Sequence, residues 1–295
     1  MLSLDAKSLS PVQLQQYLQY AIAPRPICFA STINAKGEVN LSPFSFFNLM
    51  GSNPPTCVFS PARRVRDNTT KHSLENVMEV PECVINIVNY DMVQQMSLAS
   101  TEYGSGVNEF IKAGFTAIDS TQVKPPRVAE APVQLECIVK QVIPLGDQHG
   151  AGNLIVAEIV KIHIHEHILD GNGLIDQAKI DLVARLGGDW YCRITEANLF
   201  KVAKPLTTLG IGVDALPEAV RLSTILSGND LGQLGNLETL PDSLSIEAMR
   251  RDADVSEILK AEGLDETEKV QKLQLLAKSI IAKGDIEKAL KILFL

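Results

Sequence analysis

The chain has 295 residues, of which 45% are hydrophobic and 21% charged; this composition can build a full core and excludes a wholly disordered protein. Its 35 acidic residues outnumber its 27 basic residues, and the net charge of -8 disfavours a nucleic-acid-binding protein of the usual basic kind. No apolar run approaches the roughly 18 residues of a membrane span, and the N-terminus lacks a secretory signal pattern. We therefore expect a cytoplasmic protein of one or two domains, with no membrane partner.

The first 200 residues are predicted to be rich in strands. Ser10 followed by Pro11 predicts a capped helix, residues 34–37 predict a turn, and residues 73–78 and 91–99 predict short helices, the last capped by Asp91. The predicted strands cover residues 27–33, 38–44, 56–60, 83–90, 133–145 and 153–169. Helices do not alternate regularly with these strands, which favours an antiparallel barrel over a parallel sheet.

The composition changes near Pro205, since Phe294 is the only aromatic residue after Phe200. We predict a body of residues 1–205 and a helical extension of residues 206–295. A helix is expected around residues 217–226. Two amphipathic helices are expected at the end, separated by residues 284–285, with apolar faces formed by Leu273, Leu276, Ile280, Ile286, Ala289, Leu290 and Leu293. One such helix pair cannot bury its own apolar faces, so we expect it to dock on the body or on a partner subunit.

The five cysteines are widely spaced, odd in number and free of any C-x-x-C pair. This spacing disfavours structural zinc and a disulfide framework. Four of them lie in apolar segments and are predicted to be small core residues: Cys28, Cys57, Cys83 and Cys137.

The segment from residue 23 to 76 is the richest in groups that could bind a ligand. Cations and hydroxyls cluster after a strand end and before a helix start: Arg63, Arg64, Arg66, Lys71, His72 and Ser73. A second, irregular stretch, broken by Pro43, offers Ser42, Ser45, Phe46, Phe47 and Asn48. A planar ligand with a phosphate needs such groups beside an apolar wall. The alternative is a solvated basic loop beside a core aromatic cluster.

These motifs, in this order, resemble the flavin reductase-like, FMN-binding split-barrel family over roughly residues 10 to 195. The matching runs are APRPI, SPFSFFN, PP, K-S, EN, PPRVAEAPVQLEC, IVAEIVKIHI and LVARLGGDWY. The resemblance implies a mainly β fold with α-helices: a six-stranded antiparallel split β-barrel of Greek-key character, with short peripheral helices and a helical C-terminal extension. It also implies a homodimer that binds FMN near its interface, with NADH or NADPH as co-substrate and, for some members, a monooxygenase partner.

The resemblance also assigns site residues. It implies that Ser60, Lys71 and Ser73 hold the FMN phosphate, with His72 beside them where the family commonly has an acid. The flavin ring edge would be met by Thr32, by Ser42 and by the backbone of Ser45 and Phe46, with Asn48 nearby. Arg25 would lie near the ring or the dimer contact, and Arg185 is a further polar candidate. We assign no catalytic acid–base pair, because hydride transfer to a flavin requires no general base.

Weaker signals leave alternatives open. His163, His165 and His167 alternate along a strand and could hold a metal, but we expect an exposed strand end and no metal site. The segment 209–214 contains Gly210 and Gly212 but lacks the third glycine of a dinucleotide fingerprint. Trp190 and Tyr191 are expected to pack in the fold, or else to wall the flavin.

The function that these patterns predict is an FMN-dependent oxidoreductase that takes hydride from a reduced nicotinamide and acts on a small-molecule substrate. A split barrel that has lost its flavin is the alternative to the whole flavin assignment. If flavin is bound, a non-catalytic FMN-binding protein or electron carrier is the first alternative function. A scaffold whose helical tail binds a partner is the second.

Overall fold

The computed structural model describes all residues from 1 to 295. The chain divides into two compact units, Met1–Phe200 and Lys201–Leu295. All strands belong to the first unit, and the second unit is helical. None of the helices has both the length and the apolar surface that a passage through a bilayer would demand.

The first unit contains eleven strands. In chain order they are β1 (Cys28–Ile33), β2 (Val39–Phe44), β3 (Phe47–Ser52), β4 (Pro55–Phe59), β5 (Glu82–Ile87), β6 (Ala117–Ile118), β7 (Arg127–Val128), β8 (Val133–Pro144), β9 (Asn153–Ile164), β10 (Val183–Arg185) and β11 (Tyr191–Arg193). Seven of them form one antiparallel sheet in the order β2-β1-β5-β8-β9-β4-β3, while β6 pairs with β7 and β10 with β11. The prediction of a β-rich antiparallel body is confirmed.

Four helices accompany this sheet: α1 (Pro11–Ala21), α2 (His72–Glu79), α3 (Val93–Leu98) and α4 (Glu109–Ala113). The predicted start of α1 is confirmed, because Ser10 and Gln13 form a reciprocal capping box before Pro11. Asp91 does not cap α3 as predicted; Met92 occupies that position.

The main sheet has seven strands rather than the predicted six because the chain bends at Ser45 and Phe46. These two residues alone separate β2 from β3, yet β2 and β3 lie at opposite edges of the sheet. Three peptide steps can span at most about 11 Å, so the sheet must curve until its two edges meet here. We call Ser45–Phe46 the corner.

The strand β1 is buried on both faces because it separates two apolar cores. Cys28 and Ala30 point into the core enclosed by the curved sheet, and Phe29 points to a second core that includes Met96 of α3 and Phe110 of α4. This double burial explains the continuous apolar run of the segment. The four cysteines predicted to be core residues are indeed all buried in the first core: Cys28, Cys57, Cys83 and Cys137.

The second unit contains six helices: α5 (Glu218–Arg221), α6 (Gly228–Gly235), α7 (Ser243–Met249), α8 (Ala253–Lys260), α9 (Glu266–Ile281) and α10 (Ile286–Leu293). The predicted apolar faces of α9 and α10 are packed, but within this unit. Ala277 and Leu290 share one core with Leu234 of α6 and Val255 of α8. The expectation that the last two helices need another body to cover them is thus corrected, because four further helices of the same unit contribute to the core.

The glycines of segment 209–214 serve backbone packing. A Cβ on Gly210 would lie 2.5 Å from the carbonyl oxygen of Gly235. The segment pairs with the end of α6, since the Ile211 amide donates to Leu237 O at 2.7 Å and the Gly212 amide to Gly235 O at 2.9 Å. Close approach of two backbones accounts for Gly210, and a positive φ of 80° accounts for Gly212.

Candidate functional site

A cavity of about 310 Å³ lies where the corner, the loop after β4 and the polar face of α1 come together. We call it the Lys71 cavity. Its lining contains four residues that the sequence assigned to a flavin site: Ser45, Phe46, Ser60 and Lys71. The sequence reasoning missed Gln15 and Gln19, although their spacing of four residues on a predicted helix places them on one face.

Two groups in this cavity lack a partner within the protein. The Ser60 hydroxyl is buried and makes no hydrogen bond. The ammonium group of Lys71 lies 5.8 Å from the centroid of the Phe44 ring and forms no ion pair with a carboxylate. Burial, and to a lesser degree Arg64, lowers the pKa of Lys71 below its usual value. An anion in the cavity would pair with the ammonium group of Lys71. The buried Ser60 hydroxyl lies toward Gly152 and would have to rotate to donate to that anion.

The three arginines of the loop after β4 differ in how far they are neutralised. Arg64 and Arg66 share the carboxylate of Glu102, at 3.1 and 3.0 Å, and Arg66 also pairs with Asp67 at 3.0 Å. Arg63 donates to the side chain and the backbone carbonyl of Asn68, at 2.9 and 2.8 Å, and has no acidic partner. The uncompensated positive charge of the cavity therefore comes from Arg63 and Lys71.

The N-terminus of α2 continues the same site. Lys71 is the N-cap residue, and no side chain caps the helix. The first amides of a helix lack intrahelical acceptors, so they favour an anion. Lys71 also borders a smaller cavity of about 30 Å³ that contains Ser42, His72 and Ser73. Lys71 therefore borders both cavities, with Ser60 in the lining of the larger one and His72 and Ser73 in the lining of the smaller one. The Ser73 hydroxyl already accepts a hydrogen bond from Asn40 at 2.8 Å.

Two residues predicted to meet the flavin ring line neither of these cavities. Thr32 is fully buried in β1, where its hydroxyl accepts a hydrogen bond from Asn76 of α2 at 3.1 Å. Asn48 is exposed on β3, and its side-chain oxygen accepts from the amide of Leu49 at 2.9 Å.

Arg25 holds the corner in position. Its guanidinium donates to the carbonyls of Gln19 and Ile22 at 2.6 and 2.8 Å, to Leu186 O at 2.8 Å, and to the Ser45 hydroxyl at 3.3 Å. It therefore connects the end of α1 to the corner and to the loop after β10. Burial and the neighbouring Arg185 lower the pKa of Arg25.

Arg185 lines another cavity at the corner, one that does not include Lys71. Its guanidinium carbon is 4.5 Å from the centroid of the Tyr191 ring, and both residues line a cavity of about 170 Å³ with Ser45. The side chain of Trp190, in contrast, is 70% exposed. Of the two aromatic residues, Tyr191 alone lines this cavity.

The three histidines do not share one strand face as expected, because β9 ends at Ile164 and the chain turns. His163 does not lie at an exposed strand end as expected, because its Nε2 lies 2.7 Å from Oε1 of the buried Glu136. His165 lies near Gln134, and His167 is in the turn after the strand. No group of three or more histidine, cysteine or acidic side chains is placed to share a metal ion.

Comparison with known proteins identifies the family. Residues 20–179 match the flavin reductase like domain, and the chain belongs to the family that this domain defines, with its split-barrel fold. An uncharacterized protein of Aquifex aeolicus is 38% identical over 172 residues, which cover 58% of this chain and 85% of that protein.

Two solved structures are similar over most of the first unit. Nitrilotriacetate monooxygenase component B from Bacillus cereus matches with a TM-score of 0.64 and 27% identity, covering 68% of this chain and 98% of that chain. The 2-nitrobenzoate 2-nitroreductase of Pseudomonas fluorescens matches with a TM-score of 0.61 and 27% identity, covering 71% and 100%.

Proposed function

We propose that the protein is an FMN-dependent oxidoreductase that takes hydride from NADH or NADPH. The observation that carries the proposal is the unpartnered pair of Ser60 and Lys71, two residues that line one cavity near the start of α2 in a member of the flavin reductase-like family. The cavity of about 310 Å³ is at the lower end of the range of roughly 300–1,000 Å³ for small-molecule sites. A phosphate supplies the anion that this pair lacks.

FMN, when bound, supplies a ring that accepts a hydride and passes it on. The residues of this chain bind FMN and orient it. Lys71, Ser60 and the first amides of α2 neutralise the phosphate end, while Arg25 fixes the corner that offers Ser45 and Phe46 to the ring. The half-exposed Phe46 gives an apolar surface at the cavity wall. No side chain needs to transfer a proton for the hydride step.

We also propose a homodimer. The edge strand β3 leaves its backbone edge unpaired and exposes Leu49 and Met50, whose side chains are 61% and 56% accessible. Exposed apolar residues on a free sheet edge favour association with a second chain. The likeness to a monooxygenase component supports a reductase that serves a separate monooxygenase, and the likeness to a nitroreductase supports direct reduction of a small molecule.

The proposal is tested by sedimentation of the purified full chain, detected through the visible absorption of flavin, together with an assay of NADH and NADPH oxidation. We expect flavin to sediment with a species of twice 32.1 kDa. We also expect the protein to oxidise NADH or NADPH. Flavin binding without oxidation of either would favour an electron carrier. A chain that binds no flavin would refute the proposal.

We propose in addition that residues 1–205 form the FMN-binding domain and that the helical extension contributes stability. All residues that line the Lys71 cavity belong to the first unit. A chain that ends at Pro205 should therefore bind FMN with the affinity of the full chain, measured by flavin fluorescence, and melt at a lower temperature if the extension docks on it. A stable truncated chain that no longer oxidised NADH or NADPH would show that the extension serves the reaction.

A further inference from the structure

Arg63 differs from the other two arginines of the loop after β4 because its charge has no partner. All three line the Lys71 cavity, but Arg63 makes no ion pair. The one acidic residue in the lining is Glu102, and Arg64 and Arg66 already share its carboxylate. The positive charge of Arg63 therefore has no counter-charge in the wall of the cavity.

Asn68 holds the guanidinium of Arg63 along one edge. Arg63 Nε donates to Oδ1 of Asn68 at 2.9 Å, and Nη2 donates to the backbone oxygen of Asn68 at 2.8 Å. A guanidinium has five N–H donors, so these two bonds leave three donors without a partner in the protein. They include the fork formed by Nη1 and Nη2, and such a fork can bind two oxygens of one phosphate.

The side chain of Asn68 also connects this loop to the loop between β8 and β9. Its Nδ2 donates to the backbone oxygen of Asp147 at 2.9 Å. Because arginine only donates and a carbonyl oxygen only accepts, these two partners define the orientation of the carboxamide. The backbone amide of Arg63 donates to Ala151 O at 2.8 Å in the same loop. Arg63 is thus fixed both at its backbone and at its guanidinium.

The backbone of Asn68 restricts which residues fit this position. Its φ of 59° lies in the left-handed region, which asparagine and glycine adopt more readily than most other residues. Its amide closes the turn by donating to Arg64 O at 2.9 Å. Glycine would keep this backbone conformation and remove only the carboxamide, so Asn68→Gly tests the side chain without straining the turn.

We propose that Arg63 binds the phosphate of FMN together with Lys71, and that Asn68 is the positioning residue for Arg63. This inference rests on the proposed function. A phosphate monoester carries about 1.5 to 2 negative charges at neutral pH, so two uncompensated cations in one cavity match its charge. The cavity should therefore select FMN over riboflavin, which has no phosphate, and over FAD, whose two phosphates carry one charge each.

The test is a fluorescence titration of the full chain with FMN, FAD and riboflavin. Arg63→Gln should weaken FMN binding by about 10-fold or more because charged hydrogen bonds are lost. It should weaken FAD less and leave riboflavin unchanged. Asn68→Gly should weaken FMN binding by about 3- to 10-fold, since the ligand must then order a free arginine side chain. Asn68→Asp should weaken it at least as much, because the new carboxylate neutralises Arg63.

A double variant distinguishes positioning from an independent contribution to the fold. A positioning residue acts only through the group that it positions, so Arg63→Gln combined with Asn68→Gly should bind FMN as well as Arg63→Gln alone. Additive losses would overturn the positioning role of Asn68. Equal losses of FMN and riboflavin, or a larger loss of FAD than of FMN, would overturn the assignment of Arg63 while the flavin function stood. The matched control is Arg250→Gln, an exposed arginine of the second unit that should change no affinity.

Inorganic phosphate separates this inference from the proposed function. Without flavin, it should raise the melting temperature of the wild type more than that of Arg63→Gln. If the chain bound no flavin but showed this Arg63-dependent shift, the proposed function would fail and the phosphate site would stand. If it bound no flavin and the two chains showed the same shift, or none, both would fail.

Discussion

Replacing Lys71 and Ser60 together by alanine is expected to weaken FMN binding by at least about 100-fold, because each charge-assisted hydrogen bond to the phosphate contributes about 1.5–3 kcal/mol. Riboflavin, which lacks the phosphate, should bind the variant and the wild type equally well. We choose Ser60 over Ser73 because the Ser60 hydroxyl has no partner in the protein, whereas Ser73 is bonded to Asn40. Fluorescence titration with each flavin gives both affinities.

A matched control is Lys36→Ala, since Lys36 is an exposed lysine in the turn before β2. It should leave both affinities unchanged. An equal loss of FMN and riboflavin in the double variant would show that the two residues shape the cavity without recognising phosphate. The lowered pKa of Lys71 adds a pH test: as pH rises through that pKa the charge is lost, so wild-type affinity for FMN should fall earlier than an ordinary lysine would allow.

The second large effect concerns the buried carboxylate of Glu136 on β8. It accepts hydrogen bonds from the amides of Thr121 and Gln122 at 2.8 and 2.6 Å, from the Thr121 hydroxyl at 3.0 Å, and contacts His163 at 2.7 Å. Burial alone would raise the pKa of Glu136, but these bonds outweigh it and lower the pKa to about 2. The charged form therefore holds the loop before β7 against the sheet.

Glu136→Gln should destabilise the first unit by about 3–5 kcal/mol, because it breaks a buried charged network and leaves donors without an acceptor. For a unit of this size, 1 kcal/mol shifts the melting temperature by about 2–4 °C, so we expect a fall of about 6–20 °C. Thermal unfolding followed by circular dichroism measures it. Glu158→Gln is the matched control: Glu158 lies on β9, where its partly exposed pair with Lys140 is worth only about 0–1 kcal/mol.

The sign of the pH dependence follows from the direction of the shift. Because the folded pKa of Glu136 lies below its usual value of 4.5, the contribution of its charge is complete above that value. It is lost as pH falls from about 4.5 toward about 2. The wild type should lose stability as pH falls through this range. The Glu136→Gln variant should not show this part of the pH-dependent loss. Equal melting temperatures for the Glu136 and Glu158 variants would contradict the assignment.

Local sequence signals predicted much of the first unit. Ser10 with Pro11 predicted the start of α1 through capping chemistry. The helix predicted to begin at residue 73, beside the cluster of hydroxyls and cations, is also present, as α2. Apolar runs identified most strands of the main sheet, because burial on both faces leaves a clear pattern. Residue types alone also indicated the cationic loop and the irregular stretch that contains Ser45 and Phe46, and both line the Lys71 cavity.

The features that sequence reasoning missed depend on contacts between distant residues. The sequence around Thr32 does not predict its hydrogen bond with Asn76. The sequence around His163 likewise does not predict its contact with Glu136, which precedes it by 27 residues and lies on the neighbouring strand. The corner is similar: the pattern shows a strand broken after Phe44, but not that the two parts belong to opposite edges. The core of the second unit likewise depends on how six helices meet.

The corner also has a consequence for how the protein assembles. The hairpin of β3 and β4 follows β2 directly in the chain, yet five other strands lie between β2 and β3 in the sheet. In a partly folded chain in which the long hairpin of β8 and β9 has not yet formed, the two walls of the Lys71 cavity would be joined only through Ser45 and Phe46. Their relative position would then not be fixed. Ligand capture should therefore be one of the last events of refolding, appearing after a lag behind secondary structure. A ligand present at 100 times its dissociation constant would add about 2.7 kcal/mol to the stability of the folded chain.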